Sequence, residues 1–368
     1  MSDAARTLEA VVRYAVERGA SDIHIKAGDV FRARIHGDLV PLTKQRLTPD
    51  QTREIALHLL PPVDRDRLDQ LHDHDFSWGV AGVGRFRVNL SRQRGSLMIV
   101  LRVIPVRIPT LHELGLPPVV ERIAALERGL VLVTGATGSG KSTTQAAMIQ
   151  WMNERLRRHI VTLENPIEFL HRDQHCSITQ REVGTDTPSF AIGLRAALRQ
   201  DPDVILIGEM RDTETIDTAL KAAETGHLVI STLHTRDATS TIARLVAVFP
   251  REEQEMVRIR LAEQLEAIVA QRLLPRRDGQ GRVLACEVLV ATAAIRDAIL
   301  HPEREHEIRD LIAEGRSQYG MQTFDQHLMD LVRAGLVDFA VAKQHATSPS
   351  DFELQMGMLG APVGGFGP

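Results

Sequence analysis

The chain has 368 residues, 43% of them hydrophobic and 25% charged, which is typical of folded globular proteins and long enough for two domains. Its formal net charge of −4 gives no support to a nucleic-acid partner, because domains that bind nucleic acid usually carry a basic surface. The two cysteines, Cys176 and Cys286, exclude a four-cysteine zinc site and a disulfide framework, so we expect a reducing cytoplasmic environment. There is no apolar stretch of about 18 residues, and we expect any membrane association to go through a partner.

Residues 1–104 read as a small α+β domain. Apolar residues recur at helical spacing until Gly19, and Thr48-Pro49 is a typical start of a second helix. In residues 85–90, arginine and asparagine alternate with Phe86, Val88 and Leu90, as in a strand with one buried face. The predicted elements are a helix at 8–15, strands at 22–26 and 31–36, a helix from 49, and strands at 85–90 and 96–104.

Prolines are frequent in residues 105–118, and we interpret this stretch as a linker. Apolar strands alternate with helices through residues 119–345, which indicates a mostly parallel sheet covered by helices. The predicted strands are 130–134, 160–163, 204–208 and 228–232, followed after Arg251 by a mainly helical part with one strand near 283–290. Residues 346–368 have little periodicity, and we expect a disordered tail.

The strongest motif lies between the strand at 130–134 and a helix that ends near Leu156. Its spacing, G-x-x-x-x-G-K-[ST], is that of a phosphate-binding loop in its required strand-to-helix context. Only five of the 44 basic residues are lysines, so the lysine in the motif is not a product of composition. Lys141 would contact the outer phosphates of ATP, and Ser142 would bind Mg²⁺. The predicted nucleotide-binding residues are Gly135, Ala136, Thr137, Gly138, Ser139, Gly140, Lys141, Ser142 and Thr143.

Neighbouring strands end in residues that suit ATP hydrolysis. Glu209 follows the strand 204–208 and is placed to orient a water molecule beside the γ-phosphate. Glu164 follows the strand 160–163 and is a candidate for the Mg²⁺ shell, as is Glu209. His227 and His234 flank the strand 228–232, and we expect them to hydrogen-bond the γ-phosphate and so report its loss.

Three arginines of the first domain form a separate candidate set. A γ-phosphate held by one domain invites arginines from another, which stabilise charge in the transition state. Solvent-exposed strand arginines are the simpler interpretation, and the sequence does not choose between the two. The candidates are Arg85, Arg87 and Arg102.

With these residues in place, the chain resembles the secretion ATPase superfamily and, more narrowly, the PilT-type retraction ATPases of type IV pili. The resemblance covers nearly the whole chain outside the tail. Its Asp box matches residues 163–169 and its His box residues 227–235. Further matching segments are 20–24, 84–89, 195–212 and 320–325.

The resemblance implies a PAS-like N-terminal domain and a RecA-like P-loop ATPase domain with a helical C-terminal part. It implies a homohexamer that uses ATP and Mg²⁺, with Glu209 as the acid of the Walker B element and arginines of the first domain reaching the nucleotide. The expected place is the cytoplasmic side of the inner membrane at the base of the pilus machine. The expected partners are an inner-membrane pilus platform protein and a paralogous retraction or extension ATPase. Retraction would power twitching motility and DNA uptake.

Other functions stay open at this level. Extension and type II secretion ATPases usually carry a tetracysteine zinc module and a longer N-terminal region, and their absence here favours retraction. Asp297 departs from the asparagine of the family's A-I-R-N-L-I-R element, which leaves an accessory, PilU-like retraction ATPase as an alternative. Asn165 stands where the family has aspartate, which shifts the expected metal-shell role to Glu164. A nucleotide switch without sustained turnover is a further class.

Overall fold

The computed structural model describes residues 3–105 and 107–358. The chain divides into two compact units. The first comprises Met1–Arg107 and the short segment Pro166–Leu170, and the second comprises Ile108–Asn165 and His171–Pro368. The division at residues 107 and 108 falls inside the stretch interpreted as a linker. No helix within the described ranges is both long enough and apolar enough to cross a membrane.

The first unit is a six-stranded antiparallel sheet packed against two helices. The sheet order is β3-β2-β1-β6-β5-β4. Phe86, Val88 and Leu90 are buried as their alternation predicts. Neither β3 nor β4 was predicted, although Phe76, Trp78 and Val80 alternate along β4 at strand spacing. The elements are α1 (Asp3–Glu17), β1 (Ala20–Lys26), β2 (Arg32–Ile35), β3 (Asp38–Pro41), α2 (Pro49–Leu59), a 3₁₀ helix (Pro62–Gln70), β4 (Asp73–Val80), β5 (Gly84–Gln93) and β6 (Ser96–Val103).

The second unit is built on a seven-stranded sheet in the order β13-β12-β7-β11-β10-β8-β9. All neighbouring strands in it are parallel except β12 and β13. Its strands are β7 (Gly129–Thr134), β8 (His159–Glu164), β9 (Ser177–Glu182), β10 (Val204–Ile207), β11 (Leu228–Leu233), β12 (Leu265–Pro275) and β13 (Arg282–Val290). Its helices are α3 (Val119–Ala124), α4 (Lys141–Arg155), α5 (Phe190–Ala197), α6 (Thr213–Glu224), α7 (Ala238–Ala247), α8 (Gln254–Gln264), α9 (Ala293–Leu300), a 3₁₀ helix (Pro302–Glu307), α10 (Ile308–Glu314), α11 (Arg316–Tyr319), α12 (Phe324–Arg333), α13 (Phe339–His345) and α14 (Pro349–Met358).

Both faces of this sheet are buried, as expected for a parallel sheet. Leu130 and Leu132 of β7 pack towards helices α5 to α10, whereas Val131 and Val133 pack towards α3 and α4. The central strands are therefore mostly apolar, and apart from the buried hydroxyl residues Thr162, Ser231 and Thr232 their polar groups lie at the strand ends. The mixed α/β architecture agrees with a RecA-like domain that follows a separate N-terminal α+β domain.

Two expectations from the sequence were wrong. Residues 265–275 were assigned to a mainly helical part, but they form β12, a strand buried between β7 and β13. A continuous apolar run has no periodicity that separates a buried strand from a buried helix. The tail was expected to be disordered, yet residues 349–358 form α14 with Phe352 and Met356 fully buried. Residues 359–368 of that tail lie outside the described residues.

Candidate functional site: a phosphate loop at the carboxyl edge of the sheet

The phosphate loop joins β7 to α4 and depends on its glycines. Gly135 has a φ of 143°, and a Cβ atom added there would lie 2.5 Å from the backbone oxygen of Gln271. Gly140 has a φ of 90° and occupies the N-cap of α4, where it offers no side chain to cap the helix. The first N–H groups of α4 are thus left for an anion, and the helix dipole favours negative charge at the same place.

Lys141 and the hydroxyl groups of the loop supply the remaining polar contacts. Lys141 is largely buried, and its Nζ donates to the backbone oxygens of Gly135 at 2.9 Å and Ala136 at 3.1 Å. Ser139 is buried, and within residues 3–105 and 107–358 its Oγ has no hydrogen-bond partner. Ser142 and Thr143 are half-buried in the first turn of α4. A buried hydroxyl with no partner among the described residues, a lysine and a helix N-terminus without a side-chain cap fit a phosphate chain.

Glu209 lies just beyond β10 and is contacted by Arg211 and His234. Its Oε2 accepts a hydrogen bond from Arg211 at 2.7 Å, and its Oε1 lies 3.2 Å from Nε2 of His234. Partial burial by itself raises the pKa of Glu209, but the Arg211 hydrogen bond and the nearby His234 outweigh it and hold the pKa below its usual range. Glu209 is therefore a carboxylate at neutral pH, able to accept hydrogen bonds from water.

Gly208, the residue before Glu209, is hydrogen-bonded to both neighbouring strands, β8 and β11. Its N–H donates to Leu163 at 2.7 Å, and its carbonyl accepts from the Thr232 hydroxyl at 2.7 Å. A Cβ atom at this position would lie 3.2 Å from the Leu163 oxygen and 3.4 Å from Cα of Glu164. The close approach suits glycine at the place where many P-loop ATPases carry aspartate.

Glu164 is the last residue of β8, and its carboxylate accepts hydrogen bonds from residues of β8 and β9. Its Oε1 accepts hydrogen bonds from the Thr162 hydroxyl at 2.7 Å and from Nε2 of Gln180 at 3.2 Å. Thr162 lies two residues earlier on the same strand, and Gln180 lies on the neighbouring strand β9. These contacts fix the carboxylate but leave its role in a metal shell as a prediction. Within the described ranges there is no cluster of three His, Cys, Asp or Glu residues that would hold a metal by itself.

The two histidines lie at opposite ends of β11. Leu233 pairs with Thr134, so His234 follows at the carboxyl edge of the sheet, next to the start of the phosphate loop. His227 precedes Leu228, which pairs with Gly129 at the amino end of β7. Its Nδ1 lies 2.9 Å from the Ala222 oxygen. The six-residue strand thus separates the two histidines by roughly 20 Å, with His234 at the phosphate-loop edge and His227 at the opposite edge, and a γ-phosphate contact by either histidine stays a prediction.

The candidate arginines lie on β5 and β6 of the first unit. Arg87 pairs with Arg102 across the two strands, so both lie on one face of the sheet. Nε of Arg102 donates to Asp22 at 2.9 Å, and Arg87 lies 3.8 Å from Asp75. Arg85 lies at the start of β5, opposite Gly79 of β4. Whether any of the three reaches a nucleotide stays a prediction.

Sequence reasoning missed several supporting residues. Arg211 could have been found, because a cation two residues from a candidate acid is a visible signal. Thr162 was also a local signal, because it lies two residues before Glu164 on the same strand. Gln180 and Gln271 could not have been found, because their contacts depend on which strands lie side by side. The structure therefore adds the groups that hold the predicted acids and the loop in place.

The chain is similar to known proteins over most of its length. The family model described as "Type II/IV secretion system protein" matches residues 2–342. The type IV pilus retraction ATPase PilT of Pseudomonas aeruginosa is 44% identical over 342 residues, covering 93% of this chain and 98% of that protein. The type IV pilus ATPase PilU of the same organism is 43% identical over 348 residues, covering 95% of this chain and 91% of that protein.

Solved structures give the same result. The crystal structure of the pilus retraction motor PilT with bound ADP superposes with a TM-score of 0.84 at 45% identity, covering 95% of this chain and 98% of that chain. The ATPase DotB of Legionella pneumophila gives a TM-score of 0.81 at 32% identity, covering 92% and 94%. The fold and the site together define a nucleotide-binding P-loop ATPase with a RecA-like catalytic domain. The chain belongs to the type II/IV secretion system protein family.

Proposed function

We propose that this protein is an ATP-driven motor that retracts type IV pili and works as a homohexamer. The observation that carries the proposal is the match to PilT over nearly all of both chains, combined with a phosphate loop beside Glu209 and His234. The expected setting is the cytoplasmic side of the inner membrane, where the ring would act on a pilus platform protein. A paralogous retraction or extension ATPase is a further expected partner, and direct nucleic-acid binding is not part of the proposal.

In this proposal each polar group at the carboxyl edge has one task. The N–H groups of 135–143 and the Lys141 ammonium bind the phosphates of ATP, and Glu209 orients the attacking water. His234 contacts the γ-phosphate and transmits its loss to β11. Mg²⁺, when bound, neutralises phosphate charge, with Ser142 as its protein ligand and Glu164 and Glu209 on its water shell.

Two of the predicted roles belong to residues that are not part of the phosphate-loop edge. One arginine among Arg85, Arg87 and Arg102 would stabilise the charge that develops on the transferred phosphate, from the same chain or a neighbour. His227, at the amino end of β11, would act on a nucleotide only if the nucleotide belonged to another subunit. Both assignments rest on the resemblance and on the general chemistry of phosphate transfer.

The test is a gene deletion scored for surface pili and twitching. Loss of a retraction motor leaves cells with excess pili that do not twitch, whereas bald cells would replace retraction with extension or secretion. Complementation with Lys141→Ala should fail. The matched control Lys221→Ala removes an exposed lysine paired with Asp217 on α6 and should restore twitching. Wild-type protein that binds ATP without sustained turnover would instead indicate a nucleotide switch.

An accessory retraction ATPase is the second candidate function. PilU is as similar to this chain as PilT, at 43% and 44% identity. The same deletion separates the two, since loss of an accessory motor leaves residual retraction in the presence of the principal one. Residual twitching in the deletion strain would therefore favour the PilU-like function.

A further inference from the structure

β12 runs past the end of β7 and follows the phosphate loop. Ala270 pairs with Thr134, the last residue of β7, and β12 continues from there to Pro275. Gln271 pairs with Cys286 of β13 on one side, and on its other side it is the first residue of β12 that lies beside the phosphate loop instead of β7. It is 1% exposed, although burying a polar amide between β13 and the phosphate loop is costly.

The backbone of Gln271 leaves no room for a side chain at Gly135, the first residue of the loop. Its carbonyl oxygen lies so close to Gly135 that a Cβ atom on Gly135 would be 2.5 Å away. Two residues further along β12, the side chain of Leu273 comes within 3.9 Å of the Cβ position of Gly140. One strand therefore approaches both glycines that set the spacing of the motif.

The side chain of Gln271 reaches the other end of the motif. Its Nε2 donates to the Thr144 hydroxyl at 2.6 Å, and both groups are buried. Thr144 lies in the first turn of α4, where its own N–H donates to Gly140 at 3.0 Å. Oε1 of Gln271 is buried, and the part of the chain that the structure describes provides no hydrogen-bond partner for it. An apolar side chain would avoid that cost, so packing alone does not account for the amide.

We propose that Gln271 is a positioning residue for the phosphate loop. Its hydrogen bond to Thr144 holds the first turn of α4 against β12, so that the N–H groups of that turn converge on one phosphate position. Gln271 acts through Thr144 and Gly135 rather than by touching the nucleotide. The inference rests on the nucleotide-binding half of the proposed function and is independent of pilus retraction.

The test is a double-mutant cycle on the full-length protein with Mg·ADP as the ligand. Gln271→Met and Thr144→Val each remove the hydrogen bond at nearly constant volume, and each should weaken ADP binding about 5- to 30-fold, the equivalent of ~1–2 kcal/mol. The double variant should bind about as weakly as either single variant, because the two residues act through one bond. KM for ATP should rise with kcat little changed, since Glu209 and His234 lie on other strands.

The matched control is Gln322→Met. Gln322 is also a buried amide, and its Nε2 donates to the Cys286 oxygen at 2.9 Å, on the β13 side of the sheet. This variant should lose thermal stability but bind ADP as wild type does. Folded Gln271→Met and Thr144→Val proteins with wild-type affinity, or losses that multiply in the double variant, would overturn the proposal. Failure of the wild-type protein to bind ADP would instead refute nucleotide binding itself.

Discussion

At the scale of single residues, the neighbours of Glu209 keep its carboxyl group ionised. Arg211 and His234 contact its two oxygens, so the group stays ionised despite partial burial. An ionised carboxylate beside a phosphate loop accepts a hydrogen bond from water and aims it at the outer phosphate. The same two side chains also restrict the direction in which the carboxylate points.

Replacing Glu209 with glutamine tests this role directly. Glu209→Gln keeps the shape and removes the charge, so we expect kcat for ATP hydrolysis to fall at least ~100-fold while ATP binding persists. Steady-state turnover and equilibrium nucleotide binding measure the two effects. Glu214→Gln is the control, because Glu214 is an exposed acid in the first turn of α6 that pairs with Arg195. Unchanged turnover in Glu209→Gln would contradict the assignment.

Glu287 is a buried carboxylate with a structural task. Its Oε1 accepts a hydrogen bond from the N–H of Ala238 at 2.8 Å, which anchors the start of α7, the helix that follows the His234 segment. Burial raises the pKa of Glu287 to about 7, and Asp237 adds to that rise, while Arg272 and Arg309 oppose it. The protonated form is therefore the one favoured by folding.

This raised pKa predicts a pH dependence of stability. The contribution of Glu287 is complete below its unfolded pKa of 4.5 and is lost as pH rises through about 7. Glu287→Gln stays neutral throughout, so its unfolding free energy relative to wild type should rise by about 1–3 kcal/mol between pH 4.5 and pH 8. Urea unfolding across that range measures the difference. Glu314→Gln, at an exposed position, should show no such trend. If the difference in unfolding free energy between Glu287→Gln and wild type did not change with pH, the raised pKa of Glu287 would be disproved.

At the scale of secondary-structure elements, the C-terminal helix α14 is part of the folded core. Phe352 is fully buried and stacks on Phe339 with ring centroids 5.9 Å apart. Lys343 and Glu353 join α13 to α14 at 2.6 Å. The Thr347 N–H, just before α14, donates to Asp325 at 2.8 Å. These contacts attach the helix to the group that also includes Ala270 and Leu274 of β12.

Alanine substitutions on the two sides of α14 should behave differently. Phe352→Ala removes a buried ring and should destabilise the second unit by about 3–5 kcal/mol. Leu354→Ala is the matched control on the same helix, because Leu354 is 60% exposed and its loss should change stability by less than about 0.5 kcal/mol. Chemical denaturation measures both. Equal effects would mean that α14 does not pack as described.

At the scale of the whole molecule, the proposed ring makes each subunit depend on its neighbours. If the motor is a homohexamer whose subunits act in turn, mixing wild-type chains with Lys141→Ala chains should reduce ATPase activity more steeply than the wild-type fraction falls. Sedimentation establishes the ring, and turnover of mixed rings measures the coupling. Activity proportional to the wild-type fraction would show independent subunits, and a monomer at working concentration would contradict the ring.

The sequence predicted the parts of the site that depend on local order. The spacing of Gly135, Gly140 and Lys141, and the position of Glu209 after an apolar strand, follow from neighbouring residues, because a loop and a strand end are local structures. The alternation around Phe86 likewise predicted β5. By contrast, β12 was misassigned because burial on both sides erases the periodicity that identifies an element. α14 was missed because its apolar residues, Phe352, Leu354, Met356 and Met358, recur at every second position, which does not indicate a helix.

The sequence by itself determined the chemistry of the phosphate loop and the order of the main α/β elements. Tertiary structure alone decided which groups meet there. Parallel pairing of β11 with β7 puts His234 at the phosphate-loop edge and His227 at the other, although both flank the same strand. Pairing of β12 with β7 brings Gln271 to Thr144 across 127 residues of chain. Strand order and register set these contacts, and both arise from long-range packing that no local pattern encodes.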